Sequence, residues 1–179
     1  MSFVLRQAVI ADQPALQILI ETSAKTLLRG DYTQDEIQAA LGPVLGVDAQ
    51  MIRDGTYFVV ESDGRIVGCG GWSYREALYG GRPIAAGEPK RLSPEFDAAR
   101  IRAFFVDPAF TRQGIGSLIM EHCEHALQKY GFLKVEISAT LTGEPLYLKF
   151  GYTTTNYYQI ELPDLPKLKV ARMVKTYQE

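Results

Sequence analysis

Residues 104–120 place an apolar strand directly before a glycine-containing turn and an amphipathic helix. The strand ends at Val106, and Gly114 and Gly116 lie where the helix begins. The first turn of a helix leaves backbone N–H groups without partners, and the aligned peptide dipoles add partial positive charge there. Because neither glycine has a Cβ, an anion can approach this backbone closely. The segment therefore predicts a strand–turn–helix unit that holds a phosphate group.

The helix after the two glycines has apolar residues at helical spacing, which predicts one buried face. We expect that face to comprise Ile115, Leu118, Ile119, His122, Ala126 and Tyr130. A further strand is predicted at residues 132–139. Strand, crossover helix and second strand then form a parallel unit of right-handed connection.

Two nucleotide-binding motifs compete for the same glycines. A dinucleotide fingerprint needs a third glycine where the chain has Ile119, and an acidic residue at the tip of the next strand. Glu136 has about the right separation from Gly116, but it lies inside that strand. A P-loop needs Gly-Lys-Ser/Thr, whereas Ser117 follows Gly116 directly. Both motifs are excluded, which leaves a different phosphate turn or an ordinary tight turn.

Length and charge narrow the classes of function. A chain of 179 residues fits a single domain over residues 1–179 and can bury a sizeable core. A net charge of -2 gives no general attraction to nucleic acid or to an anionic membrane. No apolar run approaches the roughly 20 residues of a bilayer span, and no secretory leader pattern is present. We expect a cytoplasmic protein with no nucleic-acid and no membrane partner.

The cysteines and histidines predict no metal site. Cys69 and Cys123 are the two cysteines, and they lack the paired spacing of metal ligands, which favours reduced, packed thiols. His122 and His125 lie three residues apart on the predicted helix, without further ligands to complete a site.

The rest of the chain predicts a mixed sheet with helices on both faces. Asp63-Gly64 joins two apolar runs and indicates a hairpin, while Thr33 and Glu36 form a capping box at a helix start. The predicted strands cover residues 3–8, 56–61, 65–72, 100–106, 132–139, 152–162 and 167–177. The predicted helices start after Asp12 and Thr33, cover residues 47–53, include Ile115 at the glycine turn, and open at Pro145. Residues 73–98 lack any period and are predicted to form a long loop.

Three stretches carry a family resemblance together with this element order. They are Val106-Asp107-Pro108, Arg112-Gln113-Gly114-Ile115-Gly116 and Tyr147-Leu148-Lys149-Phe150-Gly151-Tyr152. With them the chain resembles the GNAT superfamily of N-acetyltransferases over nearly its whole layout. The resemblance implies an α/β fold with a mixed, mostly antiparallel central sheet flanked by helices on both faces. It is also compatible with a homodimer.

The resemblance further implies that acetyl-CoA is the co-substrate. Its pyrophosphate would be held by the loop Arg112, Gln113, Gly114, Ile115, Gly116 and Ser117. Its pantetheine arm would lie along the strand Phe104, Phe105 and Val106. The family usually has Gln or Arg at the first position of its glycine motif, where this chain has Thr111. Arg112 and Gln113 are then the side chains expected to supply donors.

The resemblance assigns the chemistry to one tyrosine. Tyr147 stands four residues before Gly151, the position whose phenol protonates the departing CoA thiolate in the family. The acceptor would be a primary amine of a small molecule or peptide that attacks the thioester directly. Backbone N–H groups around Phe105 and Val106 would stabilise the developing oxyanion. No acyl-enzyme on a cysteine is needed.

The general base and the acceptor stay open at this point. Many relatives use a Glu on the strand before the phosphate turn, where this chain has Arg100 and Arg102. The candidate bases are Glu76, Glu88, Glu136 or a water relay. The candidate acceptor-pocket side chains are Trp72, Tyr74, Tyr79, Phe96, Arg75, Arg82 and Arg91. The alternative functions are a non-catalytic acyl-CoA sensor and a protein N-terminal acetyltransferase.

Overall fold

The computed structural model describes residues 2–79 and 87–178, which build a seven-stranded sheet with helices on both faces. The strands are β1 (Val4–Gln7), β2 (Tyr57–Ser62), β3 (Arg65–Ser73), β4 (Ala99–Val106), β5 (Lys134–Thr140), β6 (Thr153–Ile160) and β7 (Leu168–Thr176). The helices are α1 (Gln13–Leu27), α2 (Gln34–Ala40), α3 (Ala49–Asp54), α4 (Ile115–Tyr130) and α5 (Glu144–Lys149).

The strand order is β1-β2-β3-β4-β5-β7-β6. Every neighbouring pair is antiparallel except β4 with β5, which α4 connects as a parallel crossover. The predicted fold class, a mixed and mostly antiparallel sheet between helical layers, is confirmed.

Local signals in the sequence explain two of the element boundaries. Asp63 and Gly64 have φ of 50° and 74°, the left-handed values that a two-residue type I′ hairpin turn requires. At the start of α2, the Thr33 hydroxyl accepts the Glu36 N–H at 3.2 Å, and the Glu36 carboxylate accepts the Thr33 N–H at 2.8 Å. The predicted hairpin and capping box are therefore both present.

The sheet separates two hydrophobic clusters. We call the side covered by α1, α2 and α3 the α1 face; its cluster includes Leu16, Ile20 and Met51. The opposite side, covered by α4 and α5, is the α4 face, and its cluster includes Ile119 and Leu127. Each face thus has its own core, and a cavity that crosses the sheet must touch both.

The buried side of α4 differs from the predicted one. The helix buries Ile115, Ile119, Met120, Cys123 and Leu127. Tyr130 is instead 49% exposed, because the sheet contacts the side of the helix centred on residues 119, 120 and 123. Leu118 and Ala126 lie at the border of this side and are partly buried. Both stripes have helical spacing, so the sequence pattern alone did not distinguish them.

Strands β4 and β5 pair only through their first residues. Their register runs from Ala99 opposite Val135 to Ile101 opposite Ile137, and the pairing ends there. On its other edge β4 contains a bulge, since between the pairs Gly71–Arg102 and Cys69–Phe105 it has one residue more than β3. Bulges of this kind change the direction in which side chains point, and they are common beside active sites.

The bulge residue Ala103 has a φ of 61°, and its carbonyl accepts the Tyr57 hydroxyl at 3.0 Å. After the bulge, Phe104 and Val106 pack against the α4-face cluster. Phe105, like Ala103, packs against the α1-face cluster. The end of β4 therefore presents different side chains to the two faces while its β5 edge stays unpaired.

Candidate functional site

A cavity of about 740 Å³ lies where β4 and β5 cease to pair. Residues 102–106 of β4 and residues 138–140 of β5 form two of its walls. Its lining includes Ile115 and Tyr147 from the α4-face cluster, and Ala24 and Val170 from the α1-face cluster. The cavity therefore passes through the sheet and joins its two faces.

The glycine turn forms the α4-face end of this cavity. Arg112 and Gly114 have φ of 62° and 85°, and α4 begins directly after Gly114 without a side chain capping its N-terminus. A Cβ placed on Gly114 would find no atom within 4 Å. Open space, uncapped N–H groups and the helix dipole together suit an anion at this point.

Most of the predicted phosphate-loop residues line the cavity. They are Arg112, Gly114, Ile115, Gly116 and Ser117, joined by Thr111. Gln113 is exposed and does not line it; its amide donates to the Ala109 carbonyl at 3.5 Å. The Thr111 hydroxyl donates to the Pro108 carbonyl at 3.2 Å, which holds the turn before α4.

Glycines at contact points bring the surrounding elements close to the first turn of α4. A Cβ on Gly68 of β3 would lie 2.4 Å from Cγ2 of Ile115. A Cβ on Gly116 would lie 3.1 Å from the side chain of Leu146 in α5. Gly68 was not recognised from the sequence, although a glycine inside a strand signals such a close approach.

Tyr147 lies in α5 and faces the cavity with 5% of its surface exposed. Its ring packs edge-to-face on Phe104 at 6.0 Å and on Tyr152 at 6.2 Å between centroids. Burial raises the pKa of the Tyr147 phenol above its ordinary value, and the nearby Cys123 adds to the shift. The phenol therefore keeps its proton throughout the neutral pH range.

The charged side chains in the lining are all basic. They are Arg102, Arg112 and Lys149, and no Asp or Glu occurs among the described residues of the wall. The Lys149 ammonium lies 3.5 Å from the Ser117 hydroxyl, beside the glycine turn. Two of the three cations, Arg112 and Lys149, thus belong to the end of the cavity that suits an anion.

None of the three carboxylates considered as bases lines the cavity. Glu136 is bound to Arg100 at 3.2 Å and to Arg172 at 2.9 Å. Glu88 is 69% exposed in its side chain and Glu76 is also exposed. Of the alternatives that the sequence left open, a water relay is the one that does not need a carboxylate in the wall.

Arg102 lines the cavity and forms a buried ion pair with Asp48, which does not line it. The sequence did not predict this pair. Arg102 Nε donates to Asp48 Oδ2 at 2.8 Å, and its Nη1 donates to the Ala77 carbonyl. The other oxygen of Asp48 accepts the Met51 N–H at 3.0 Å and caps α3. The pair therefore ties together β4, α3 and the segment after β3 at the edge of the cavity.

The predicted aromatic wall is only partly present. Tyr79 lines the cavity, whereas Trp72 is buried in the α4-face cluster and Phe96 is 73% exposed. Tyr74 stacks on Tyr130 at 5.2 Å, away from the lining. The real α1-face wall consists of Ser23, Ala24, Leu27, Leu28, Val44, Leu45, Leu78, Tyr79, Ile160, Leu168 and Val170.

Two of the predicted anion-binding arginines have other partners. Arg75 donates to Asp54 at 2.6 and 2.8 Å and is buried. The Arg91 guanidinium lies 5.5 Å from the centre of the Tyr74 ring. Arg82 lies outside the described residues. Arg102 is thus the cation that the α1-face end of the cavity contains in the described part of the chain.

Within residues 2–79 and 87–178, no helix combines the length and apolar character needed to cross a membrane. The same residues include no group of three or more His, Cys, Asp or Glu side chains placed to hold a metal ion.

Comparison with known proteins extends these observations. A family model described as an acetyltransferase (GNAT) domain matches residues 53–154, which is more than half of the chain. These residues include the bulged strand, the glycine turn, Tyr147 and the unpaired edge of β4. A comparison with curated proteins returns no match.

Solved structures share the fold along nearly the whole chain. A GCN5-related N-acetyltransferase from Rhodopseudomonas palustris is 16% identical, with a TM-score of 0.72 over 98% of this chain and 96% of that one. The PaiA N-acetyltransferase from Thermoplasma acidophilum, solved with coenzyme A, is 15% identical, with a TM-score of 0.66 over 99% and 100%. The ribosomal-protein-S18-alanine N-acetyltransferase from Escherichia coli is 16% identical, with a TM-score of 0.58 over 99% and 96%.

Proposed function

The chain belongs to the GNAT acetyltransferase family, and on that premise we propose that it transfers an acetyl group from acetyl-CoA to a primary amine. The acceptor is the amine of a small molecule or a peptide, and Tyr147 is the general acid. One observation carries the proposal. A single cavity joins the uncapped N-terminus of α4, the unpaired edge of β4 and a buried tyrosine.

The α4-face end fits the diphosphate of coenzyme A. The N–H groups of the turn at residues 114–117 and the cations Arg112 and Lys149 supply donors and positive charge there. Since a Cβ on Gly114 would meet no atom within 4 Å, a phosphate group has room against the backbone. Gln113 contributes no side-chain contact in this proposal because its amide points away from the cavity.

The unpaired edge of β4 fits the pantetheine arm. Residues 102–106 have no strand partner on the β5 side, yet backbone groups that leave water need hydrogen-bond partners. An extended chain of amides along Phe104, Phe105 and Val106 supplies such partners as an added strand would. The thioester then lies toward Tyr147, whose ring contacts Phe104.

In the proposed reaction the acceptor nitrogen attacks the thioester carbon, and the backbone N–H of Val106, which faces the unpaired edge of β4, stabilises the oxyanion. The carbon–sulfur bond then breaks, and Tyr147 gives its phenolic proton to the departing sulfur. A raised pKa makes Tyr147 a weaker acid in isolation. The same apolar surroundings also raise the pKa of the departing thiol, because a thiolate is less stable there than in water. The two pKa shifts therefore offset each other in the proton transfer.

The acceptor must lose one proton, and the wall offers no carboxylate in its described residues. We propose that the amine enters in its neutral form, that it loses one proton to water after attack, and that the Tyr147 phenolate regains a proton from water. Since an alkylamine has a pKa near that of lysine, about 10.4, turnover should then rise with pH below that value. No inflection from an enzymatic carboxylate is expected between about pH 4 and pH 6.

The test is amine-dependent release of coenzyme A by the wild type and by Tyr147→Phe. We expect kcat to fall about a hundredfold or more in the variant, the range of a general acid, while calorimetry shows unchanged acetyl-CoA affinity. Tyr130→Phe is the matched control, because Tyr130 is half exposed and outside the cavity. Equal kcat values for the wild type and Tyr147→Phe would show that Tyr147 is not the general acid.

One observation favours a second function. The carboxylate-free wall also suits a non-catalytic module that binds acyl-CoA as a sensor. Calorimetry and the amine panel separate the two functions. Tight acetyl-CoA binding without acceleration by any amine supports the sensor, whereas amine-dependent thiol release supports the transferase.

A further inference from the structure

The α1-face end of the cavity is lined mainly by buried aliphatic side chains. Leu28, Val44, Leu45 and Val170 line it, and each is at most 7% exposed. Leu27, at the end of α1, also lines it and is partly buried. We call this part of the cavity the acceptor chamber. Its walls come from α1, the segment after α2 and strand β7, on the face opposite the glycine turn.

The described residues of the acceptor chamber include no carboxylate that could pair with a second positive charge. Its described walls contain no Asp or Glu, and by sequence residues 80–86 contain none either. Among the described residues, Arg102 is the cation beside the chamber, and Asp48 already neutralises it at 2.8 Å. An ammonium group deep in the chamber would lose its hydration without gaining a counter-ion, which is strongly unfavourable.

We propose that the acceptor is a primary monoamine with an apolar aliphatic or aromatic group, and that this group fills the acceptor chamber. The inference rests on the proposed acetyl transfer and names its substrate class. Diamines and polyamines of the same length are excluded by their second charge. The apolar group belongs to the acceptor because the donor's phosphate and pantetheine sites lie on the α4 face and along β4.

The first experiment measures kcat/KM for amines with saturating acetyl-CoA. In the series propylamine to hexylamine, burial of each added methylene should raise kcat/KM about three- to fourfold. Hexylamine should exceed 1,6-diaminohexane at least about thirtyfold, because the diamine must bury or discharge its distal ammonium. Comparable values for the diamine would overturn the inference and leave acetyl transfer intact.

Two further outcomes are distinct. If hexanoyl-CoA with propylamine is far better than acetyl-CoA with hexylamine, the chamber holds the acyl chain and the inference is wrong. If no amine accelerates thiol release although acetyl-CoA binds, the proposed function itself fails, and the inference fails with it.

A pair of variants on α1 tests the location. Leu27→Glu places a carboxylate in the chamber, so the ratio of diaminohexane to hexylamine in kcat/KM should rise at least about tenfold. Ile18→Glu makes the same change on the same helix at a side chain that is 68% exposed and outside the cavity. We expect this control to keep the wild-type ratio, and an equal shift in both variants would contradict the location.

Leu27→Ala keeps the inference testable if Leu27→Glu does not fold. Loss of part of the apolar wall should lower kcat/KM for hexylamine about tenfold and for propylamine much less. Equal loss for both amines would show that the chamber does not hold the alkyl group.

Discussion

The two ends of the cavity are built in different ways. On the α4 face, the site consists mainly of backbone: the uncapped amides of one short turn, shaped by Gly114 and supported by Gly68 of β3. On the α1 face, it consists of side chains from separate segments, with the buried pair Arg102–Asp48 beside them. In the proposed function, the first end binds a group common to every acyl-CoA, and the second binds the acceptor.

Because the two ends are built differently, substitutions at each end should affect ligand affinity and the free energy of unfolding to different extents. Changes at the exposed glycine turn should alter affinity for coenzyme A and leave the free energy of unfolding nearly unchanged. Changes in the acceptor-side ion pair should alter both, because the same contact holds the fold together. The following measurements test that separation, from the largest expected effect to the smallest.

Asp48→Ala should destabilise the protein by about 3–5 kcal/mol, because it leaves the Arg102 charge buried without its partner. It also removes the cap that accepts the Met51 N–H. Urea unfolding measures the effect. The double variant Asp48→Ala/Arg102→Met should recover part of the loss, since no uncompensated charge remains. A double variant less stable than Asp48→Ala would contradict the account.

Gly68→Ala should cost about 1–3 kcal/mol of stability, because its Cβ would lie 2.4 Å from Ile115 Cγ2. The first turn of α4 must then shift, so coenzyme A should also bind more weakly. Gly64→Ala is the control, because it introduces backbone strain without a steric contact. Gly64 has a positive φ, and no atom lies within 4 Å of its Cβ position. That variant should lose stability and keep its affinity for coenzyme A.

Arg112→Ala and Lys149→Ala should each lower coenzyme A affinity about tenfold, equivalent to about 1.4 kcal/mol. Unfolding free energies should stay within about 0.5 kcal/mol of the wild type, as for other surface substitutions. Calorimetry at two salt concentrations measures the affinity, and the difference between variant and wild type should shrink at high salt. Arg29→Ala removes a cation outside the lining and should have no effect.

Each face of the sheet also buries one cysteine thiol. Alkaline pH should therefore lower the free energy of unfolding through both thiols. Burial raises the pKa of Cys69 on the α1 face to about 12, from an ordinary value of 9.0. Burial likewise raises the pKa of Cys123 on the α4 face. The folded protein then keeps protons that the unfolded chain releases, so this stabilisation is complete below pH 9 and declines as pH rises toward 12.

At pH 9.5 the loss from Cys69 alone should be about 1 kcal/mol relative to neutral pH. Urea unfolding at both pH values, for the wild type, Cys69→Ala and Cys123→Ala, isolates each thiol. Each variant should show a smaller decline than the wild type by about that amount. An identical decline in all three proteins would mean that neither thiol titrates differently on unfolding.

The same contrast explains what the sequence could predict. The hairpin at Asp63-Gly64 and the glycine turn at Gly114 each depend on a few consecutive residues, and the structure has both turns at the predicted positions. Tyr147 was placed at the cavity because its motif also lies within one short segment. Its catalytic role stays a prediction, as do the roles of the other site residues.

The α1-face end of the cavity could not be predicted in the same way, because it forms through contacts between distant parts of the chain. Arg102 and Asp48 are 54 residues apart and meet only after β4 and α3 have packed together. Trp72 and Phe96 are aromatic, like the side chains that often line a binding pocket. Packing nevertheless buries Trp72 on the α4 face and leaves Phe96 exposed to solvent. Composition within a loop gives no information about which face it reaches.

Hydrogen–deuterium exchange with and without coenzyme A tests the central claim most directly. When coenzyme A binds, we expect slower exchange in peptides that cover residues 102–106 and 113–118, which contain the unpaired strand edge and the first turn of α4. Exchange in α2 should be unchanged, since none of its residues lines the cavity. Coenzyme A that binds while both peptides exchange at their free rates would contradict the account.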